Sequence, residues 1–452
     1  MGQLWFIAVL ALLLTSLRPI NAFFSNKPHL KPHESWSSSL VFASPTQRLA
    51  KSLSITHLYS QHPFGRVVSQ SRLRSASKNE NEVPLPDHTG KVAIIIGSSR
   101  GIGKGIAIEC ALSGMTVYIV GRSTRADRKE YKTMLKRDLG EEWNEDSTIE
   151  RTVEDIEALI ELKNYNPGAK CRGKAIPVSC DIANQSQITS LVNQVKSEQG
   201  RCDLLVYSAF PTPPNLSNAK FRDEFWKQGV EMWDPLCEVG LRAAYMSCCE
   251  AIPLMIDTAK SKLQSSNRPM IILVSSFGGR SYTFNVAYGV QKAALDRFAS
   301  DMAIQLKPYN IDTVALYPGV VRTEGNMQAL KAGTWNEATG GMDLENNGES
   351  TRFSGRAVVH LFDTPNNGSL DWIGGSGKVG VVAELAKFVG FVDEEGRRPP
   401  SIRSLKYLLP NFAFPKIEKE MDGKSIPDFI KNNVPDYWIP WDVFMSGPPP
   451  ED

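Results

Sequence analysis

From Pro84 onward, short β-branched runs alternate with longer stretches of helical spacing. The runs Lys91–Ile96, Thr116–Val120, Ala175–Ser179, Leu204–Tyr207, Met270–Ser275 and Asp312–Leu316 are apolar at consecutive positions, not at every second one. Strands covered on both faces have this pattern, because neither face is left to water. Between them, Ile102–Ser113, Gln185–Gln199, Trp233–Ala259 and Ala287–Leu306 read as helices, and Gly377–Leu385 as a last strand and the start of the closing segment. The alternation predicts an α/β fold: a Rossmann-type doubly wound parallel sheet in three α/β/α layers. Right-handed crossovers then place ligands at the carboxyl ends of the strands.

Two stretches interrupt the rhythm. Thr124–Gly173 is longer than one crossover needs and densely charged, with an extra helix expected at Val153–Leu162. Gln328–Glu349 is rich in Gly and Asn and has no clear period, which fits a lid over the site or a plain surface loop.

Ahead of this region lies a leader. Leu4–Leu17 is a nearly unbroken apolar run of about 14 residues, short of the roughly 20 that a membrane span needs. With Asn21-Ala22 behind it, the run reads as a signal peptide over residues 1–22, the alternative being a membrane anchor. Residues 23–82 are rich in Ser and basic side chains, and between Phe23 and Ser77 the one acid is Glu34. That composition is transit-peptide-like, and a signal peptide joined to it resembles the bipartite presequences of algae with secondary plastids. The expected destination is a plastid, with the endoplasmic reticulum and secretory pathway as the alternative. Residues 83–398 are expected to form the folded domain. Residues 399–452 form an aromatic and Pro-rich extension, read as wrapping the core or as a pocket wall, a dimer contact or a peripheral membrane contact.

The net charge of +2 points to no nucleic-acid partner. Seven cysteines without a C-x-x-C pair argue for reduced, mostly buried thiols. Of six histidines, four lie in the leader and His88 precedes the first strand, leaving His360 inside the fold. A histidine metal site or a Ser-His-Asp triad has almost nothing to be built from, and no metal is expected.

The chemistry is carried by three separated motifs. Ile96-Gly97-Ser98-Ser99-Arg100-Gly101-Ile102-Gly103 joins a buried strand to a helix, where glycines let the backbone approach a pyrophosphate and the helix start offers free N–H groups. At the end of the second strand stands Arg122, where NAD sites carry an acid; Arg122 and Arg100 can pair with a 2′-phosphate, which favours NADP(H) over NAD(H). Asp181, after the third strand, can accept from an adenine amino group or cap the next helix. Finally, a strand ending in Ser275-Ser276 precedes Tyr288 and Lys292, which share a helix face. An ammonium near the phenol should lower its pKa, fitting Tyr288 for proton transfer to a carbonyl oxygen that Ser276, or Ser275, also hydrogen-bonds.

Together with Tyr317-Pro318-Gly319-Val320-Val321-Arg322-Thr323, these motifs resemble the short-chain dehydrogenase/reductase family over roughly residues 90–382. The resemblance implies Ser276, Tyr288 and Lys292 as the catalytic residues of an NADP(H)-dependent oxidoreductase acting on a small carbonyl or alcohol. It implies cofactor contacts from Gly97, Ser99, Arg100, Gly101, Ile102, Gly103, Arg122, Asp181, Ala209, Tyr288, Lys292, Pro318, Gly319, Val321 and Thr323. Homo-oligomers are common in the family. The chain departs from the family pattern at Ile96, at Tyr207-Ser208-Ala209-Phe210, and at Gly240, which stands where an Asn completes the family's catalytic tetrad. Those departures keep two alternatives open: an NADP(H)-binding regulatory protein without turnover, and an epimerase or lyase with a tightly held nicotinamide.

Overall fold

A computed structural model describes residues 83–441, except 127–146, 163–172, 212–222, 262–266, 284, 334, 336–342 and 421–424. The signal and transit-like leader, most of the 124–173 insertion, Phe284, Cys171 and much of the 328–349 loop therefore lie outside the described residues.

Seven strands form one parallel sheet: β1 (Val92–Ile96), β2 (Thr116–Gly121), β3 (Lys174–Ser179), β4 (Leu204–Tyr207), β5 (Met270–Val274), β6 (Asp312–Tyr317) and β7 (Lys378–Val381). Their order is β3–β2–β1–β4–β5–β6–β7. The order reverses between β1 and β4, which is where such a sheet opens a crevice for a ligand.

The side-chain period of two divides each strand between two cores. Ala93, Ile95, Val117, Ile119, Leu204, Val206, Ile272 and Leu316 face one side. They pack on α1 (Gly101–Leu112) and α2 (Ile149–Glu161), and on α8 (Thr351–Phe362) and α9 (Val382–Val389), numbering the longer helices in chain order. Val92, Ile94, Ile96, Val120, Leu205, Ile271 and Leu273 face the other. There they meet α3 (Gln185–Gln199), α5 (Ala243–Lys260) and α6 (Val286–Leu306). This is the three-layer fold that the runs of consecutive apolar residues predict. α2 begins at Ile149, four residues before the sequence pattern suggests, because the Thr148 side chain caps the Arg151 amide.

The helix expected over Trp233–Ala259 is divided. α4 (Val230–Cys237) and α5 are separated by a π-helical turn at Glu238–Arg242. Two carbonyls of that turn are captured from outside the helix. The Tyr207 hydroxyl donates to the Val239 carbonyl. The Gln291 Nε2 donates to the Gly240 carbonyl at 2.9 Å. A helix whose carbonyls bond elsewhere widens locally.

The C-terminal extension wraps the core as far as Trp441. Arg403 forks onto the Glu384 carboxylate of α9 at 2.7 Å through both Nε and Nη2. A bridge pairs Ser404 with Trp438. Trp441 reaches the end of β6, its ring edge-on to Tyr317 at 5.8 Å. Of the described cysteines, Cys110, Cys180, Cys202 and Cys248 are buried free thiols, Cys237 is half-buried and Cys249 is exposed.

α1 and α8 cross at a point where a Cβ on Gly105 would lie 2.1 Å from the Thr351 carbonyl oxygen. Gly105→Ala would gain about 1 kcal/mol of helix propensity. Forcing the helices apart costs about 1–3 kcal/mol, so the substitution should destabilise on balance. Equilibrium denaturation checks this; a midpoint that rises would show that the two helices have room to spare.

Candidate active site

The carboxyl ends of β1, β2, β4, β5 and β6 bring the sequence motifs to one edge. After β1 the chain turns with Gly97 at φ +83° and Gly101 at φ +58°, a region that glycine tolerates. A Cβ on Gly103 would lie 2.1 Å from the Gly97 carbonyl, and one on Gly97 would lie 2.6 Å from Ala209 at the end of β4. Those glycines therefore let the turn close on itself and on β4. Ile102 is half-buried at the start of α1, and Ser99 faces Gly121 at the end of β2. Arg122 follows, exposed.

The start of α1 binds an anion in this structure. The Gly101 amide donates to Glu324 Oε2 at 2.8 Å, so a carboxylate from the far side of the crevice sits on the helix start. A dinucleotide fits here on two grounds: a close-packed glycine turn, and an N–H already satisfied by a negative group.

Asp181 does not cap α3. Its Oδ1 accepts from the Ala183 amide at 3.1 Å, and the cap is Asn184, which accepts from Ser186. After β6, Pro318 and Gly319 lead into a ladder in which Glu349 bonds the Val320 carbonyl at 2.7 Å and the Arg322 amide at 2.8 Å. Parallel pairing through those two neighbours turns the Val321 amide to the opposite side of the strand. Thr323 caps α7 (Glu324–Lys331), its Oγ1 accepting from the Asn326 amide at 3.2 Å.

Ser276, Tyr288 and Lys292 are brought together by the end of β5 and by α6. The Asn285 side chain accepts from the Tyr288 amide at 2.8 Å, starting α6 where Tyr288 faces the strand end. The Tyr288 hydroxyl donates to Ser276 Oγ at 2.7 Å. Ser275 turns away and donates to the Lys292 carbonyl at 3.1 Å. Ser276, not Ser275, is thus the serine bonded to Tyr288. Its Oγ also accepts from the Gly278 amide at 3.1 Å, which leaves its own hydrogen free to be donated elsewhere. Lys292 Nζ donates to the Val274 carbonyl at 3.2 Å.

One expectation is corrected. The lowering expected at Tyr288 runs against its burial, which pushes the phenol up to about 12, the Asp296 charge acting the same way and the Ser276 bond opposing it. Burial lowers Lys292 to about 8. Desolvation is the largest cause of the shift at each group.

Sequence reasoning missed five residues that the fold brings to this edge. Phe210 noses edge-on against the Tyr288 ring at 5.9 Å, with Lys292 Nζ 5.2 Å from its centroid. Its departure from the family pattern was the available signal. Glu324, Glu349 and Asp296 carried none, since each matters only through a partner distant in sequence. Gln291 fills the space beside Gly240, where a Cβ would lie 2.9 Å from its Nε2.

Comparison with known proteins follows the same lines. The family profile described as short chain dehydrogenase matches residues 137–333, beyond the glycine-rich turn. The mouse protein named dehydrogenase/reductase SDR family member 1 is 33% identical over 324 residues, 71% of this chain and 88% of that protein. Its human namesake is 31% identical over 331 residues, 72% and 90% of the respective chains. The Arabidopsis thaliana protein named NADPH-dependent aldehyde reductase 2, chloroplastic, is 27% identical over 239 residues, 52% of this chain and 74% of that one.

Glu349 makes the loop after β6 sensitive to pH. It is 1% exposed, and its carboxyl packs so closely that a Cβ on Gly319 would lie 2.7 Å from Oε1. Burial raises it from 4.5 to about 8, the Gly319 amide pulling the other way. A raised folded-state pKa means that its contribution is fully present below about pH 4.5 and is lost as pH rises through about 8. Glu349→Gln should therefore gain stability over the parent protein, by on the order of a few kcal/mol, between those limits. Denaturant unfolding at pH 5 and pH 9 measures the gap; a gap that fails to widen would mean that Glu349 is ionised in the fold.

Proposed function

This chain belongs to the short-chain dehydrogenase/reductase family, and on that premise we propose that it is an NADP(H)-dependent carbonyl reductase or alcohol dehydrogenase with Tyr288 as its acid–base group. The observation that carries the reading is the Tyr288–Ser276 hydrogen bond of 2.7 Å with Lys292 one turn further along α6.

When bound, the nicotinamide supplies or accepts the hydride. The rest falls to this chain's own residues. In the reductive direction, the Tyr288 hydroxyl gives its proton to the carbonyl oxygen. A phenol held near 12 is protonated at neutral pH, as a proton donor must be. Ser276 donates to the same oxygen and stabilises the charge that grows on it. Lys292, as an ammonium, is placed to stabilise the phenolate left behind and to reach a cofactor ribose. The Gly97–Gly103 turn and the start of α1 would hold the pyrophosphate, with Asp181 and Ala209 along the dinucleotide. Pro318, Gly319, the Val321 amide and Thr323 would hold the carboxamide end.

NADP(H) is favoured because β2 ends in Gly121-Arg122 with no acid, and the exposed guanidinium can pair with a 2′-phosphate. The Arabidopsis relative is named as NADPH-dependent. Phe210 against Tyr288 supplies an apolar wall, which suits a carbonyl carried on an apolar or aromatic body. For compartment, the reading is a plastid, supported by the leader's composition and by that relative's chloroplastic name. A homo-oligomer is part of the same reading.

Gly240 and the altered end of β4 favour a second reading, in which the protein holds NADP(H) without turnover. NADPH consumption across ketones, quinones and aldehydes separates the two, with Tyr288→Phe alongside. The reductase reading expects product to match NADPH consumed and the variant to lose about 10²–10⁴-fold. Binding without turnover in either protein would favour the second reading. Glu324 gives an independent check on where the cofactor sits. Its carboxylate competes for the Gly101 amide, so Glu324→Gln should bind NADPH several-fold more tightly in a fluorescence titration. Unchanged affinity would move the pyrophosphate away from that amide.

A further inference from the structure

Asp296 lies on the face of α6 that carries Tyr288 and Lys292, eight and four residues further along. Three other segments surround its carboxylate. Tyr317, the last residue of β6, donates its hydroxyl to Oδ2. Ser275, just beyond β5, lies beside it and also opposes the effect of burial on its charge. The turn after Ser276 passes so close that a Cβ on Gly279 would lie 2.5 Å from Oδ2. Glycine there lets the chain run over the carboxylate, whose Oδ1 is buried.

The titratable and charged groups facing Asp296 are Lys292 and Tyr288 on its own helix, Arg280 from the turn and Tyr317 from β6. Trp441 covers the outer two of these: the Arg280 guanidinium sits 4.8 Å from its ring centroid, and Tyr317 meets it edge-on. The C-terminal extension therefore closes a collar around this carboxylate.

We propose that Asp296 is a positioning residue that keeps Lys292 charged, as a half-buried counter-charge held by Tyr317 one helical turn beyond the lysine on the same face of α6. A buried ammonium is costly unless an opposite charge lies near it. Among the described residues, Asp296 is the acid whose charge raises Lys292 against the loss of water. Burial lifts Asp296 itself to about 6, with Tyr317, Ser275, Arg280 and Lys292 holding it down. At neutral pH it is therefore mostly ionised and can act on the lysine. The Tyr317 bond also ties the catalytic helix to the residue preceding Pro318, so the same carboxylate links Lys292 to the loop after β6.

This inference rests on Tyr288 and Lys292 as the acid–base pair, so its test reads Lys292 itself. Competitive acetylation with mass spectrometry gives the pH at which the Lys292 amine loses its proton, with no cofactor or turnover required. In Asp296→Asn, which keeps the size and an oxygen for Tyr317, the midpoint should fall by about one pH unit. Asp296→Glu, which restores the charge, should return toward the parent value. An Asp296→Asn midpoint equal to the parent's overturns the inference. Should that variant fail to fold, Tyr317→Phe carries the same test. It keeps the carboxylate but removes a donor that stabilises its charge, so the Lys292 midpoint should fall by a smaller amount; an unchanged one is equally fatal. A shifted midpoint in a protein that reduces no carbonyl would leave Asp296 as the lysine's counter-charge and count against the reductase reading alone.

Discussion

Parallel strands all deliver their carboxyl ends to one edge of the sheet, and everything chemical in this protein follows from that constraint. The turns after β1, β4, β5 and β6 have no choice but to meet there, and the backbone must be thin where they touch. The near-collision of residue 97 with Ala209 and of residue 103 with the Gly97 carbonyl shows how little room is left. With the turns this close, a carboxylate borne by α7 can sit on the first amide of α1, and a serine leaving β5 can meet a tyrosine on α6.

The strands and most helices were legible in the sequence because their information is local. Consecutive apolar residues at Val92–Ile96 or Met270–Val274 state that both faces are covered, and the structure places them in two cores by simple alternation. The turn at Glu238–Arg242 was not legible. Its widening depends on donors from Tyr207 and Gln291, which lie 32 and 51 residues away from the carbonyls they take. The same holds for the site. Ser276, Tyr288 and Lys292 could be read from spacing, and the choice between Ser275 and Ser276 needed the strand end itself. The electrostatic balance could not be read at all. Spacing suggested that the lysine would acidify the phenol, but the degree of burial decides that sign, and burial belongs to the folded chain.

The C-terminal extension shows how a segment without helical or strand periodicity can still be specific. Arg403 is held by Glu384 on one side and stacks toward Trp438 and Trp441 on the other, with centroid distances of 5.7 and 4.6 Å. Flat guanidinium and indole faces suit this stacking, and Lys387 Nζ adds a second cation 5.2 Å from the Trp438 centroid. The extension is thereby fastened first to α9 and then, through Trp441, to the far end of β6. The aromatic residues that the sequence presents as a composition bias serve as discrete attachment points.

Gly240 and Gln291 carry a different kind of consequence. The Gln291 amide occupies the volume into which any side chain at 240 would have to grow, and it holds the Gly240 carbonyl at the same time. The two positions are therefore coupled: a side chain at 240 would have to displace the Gln291 amide, and a shorter residue at 291 would take away the donor that holds the Gly240 carbonyl.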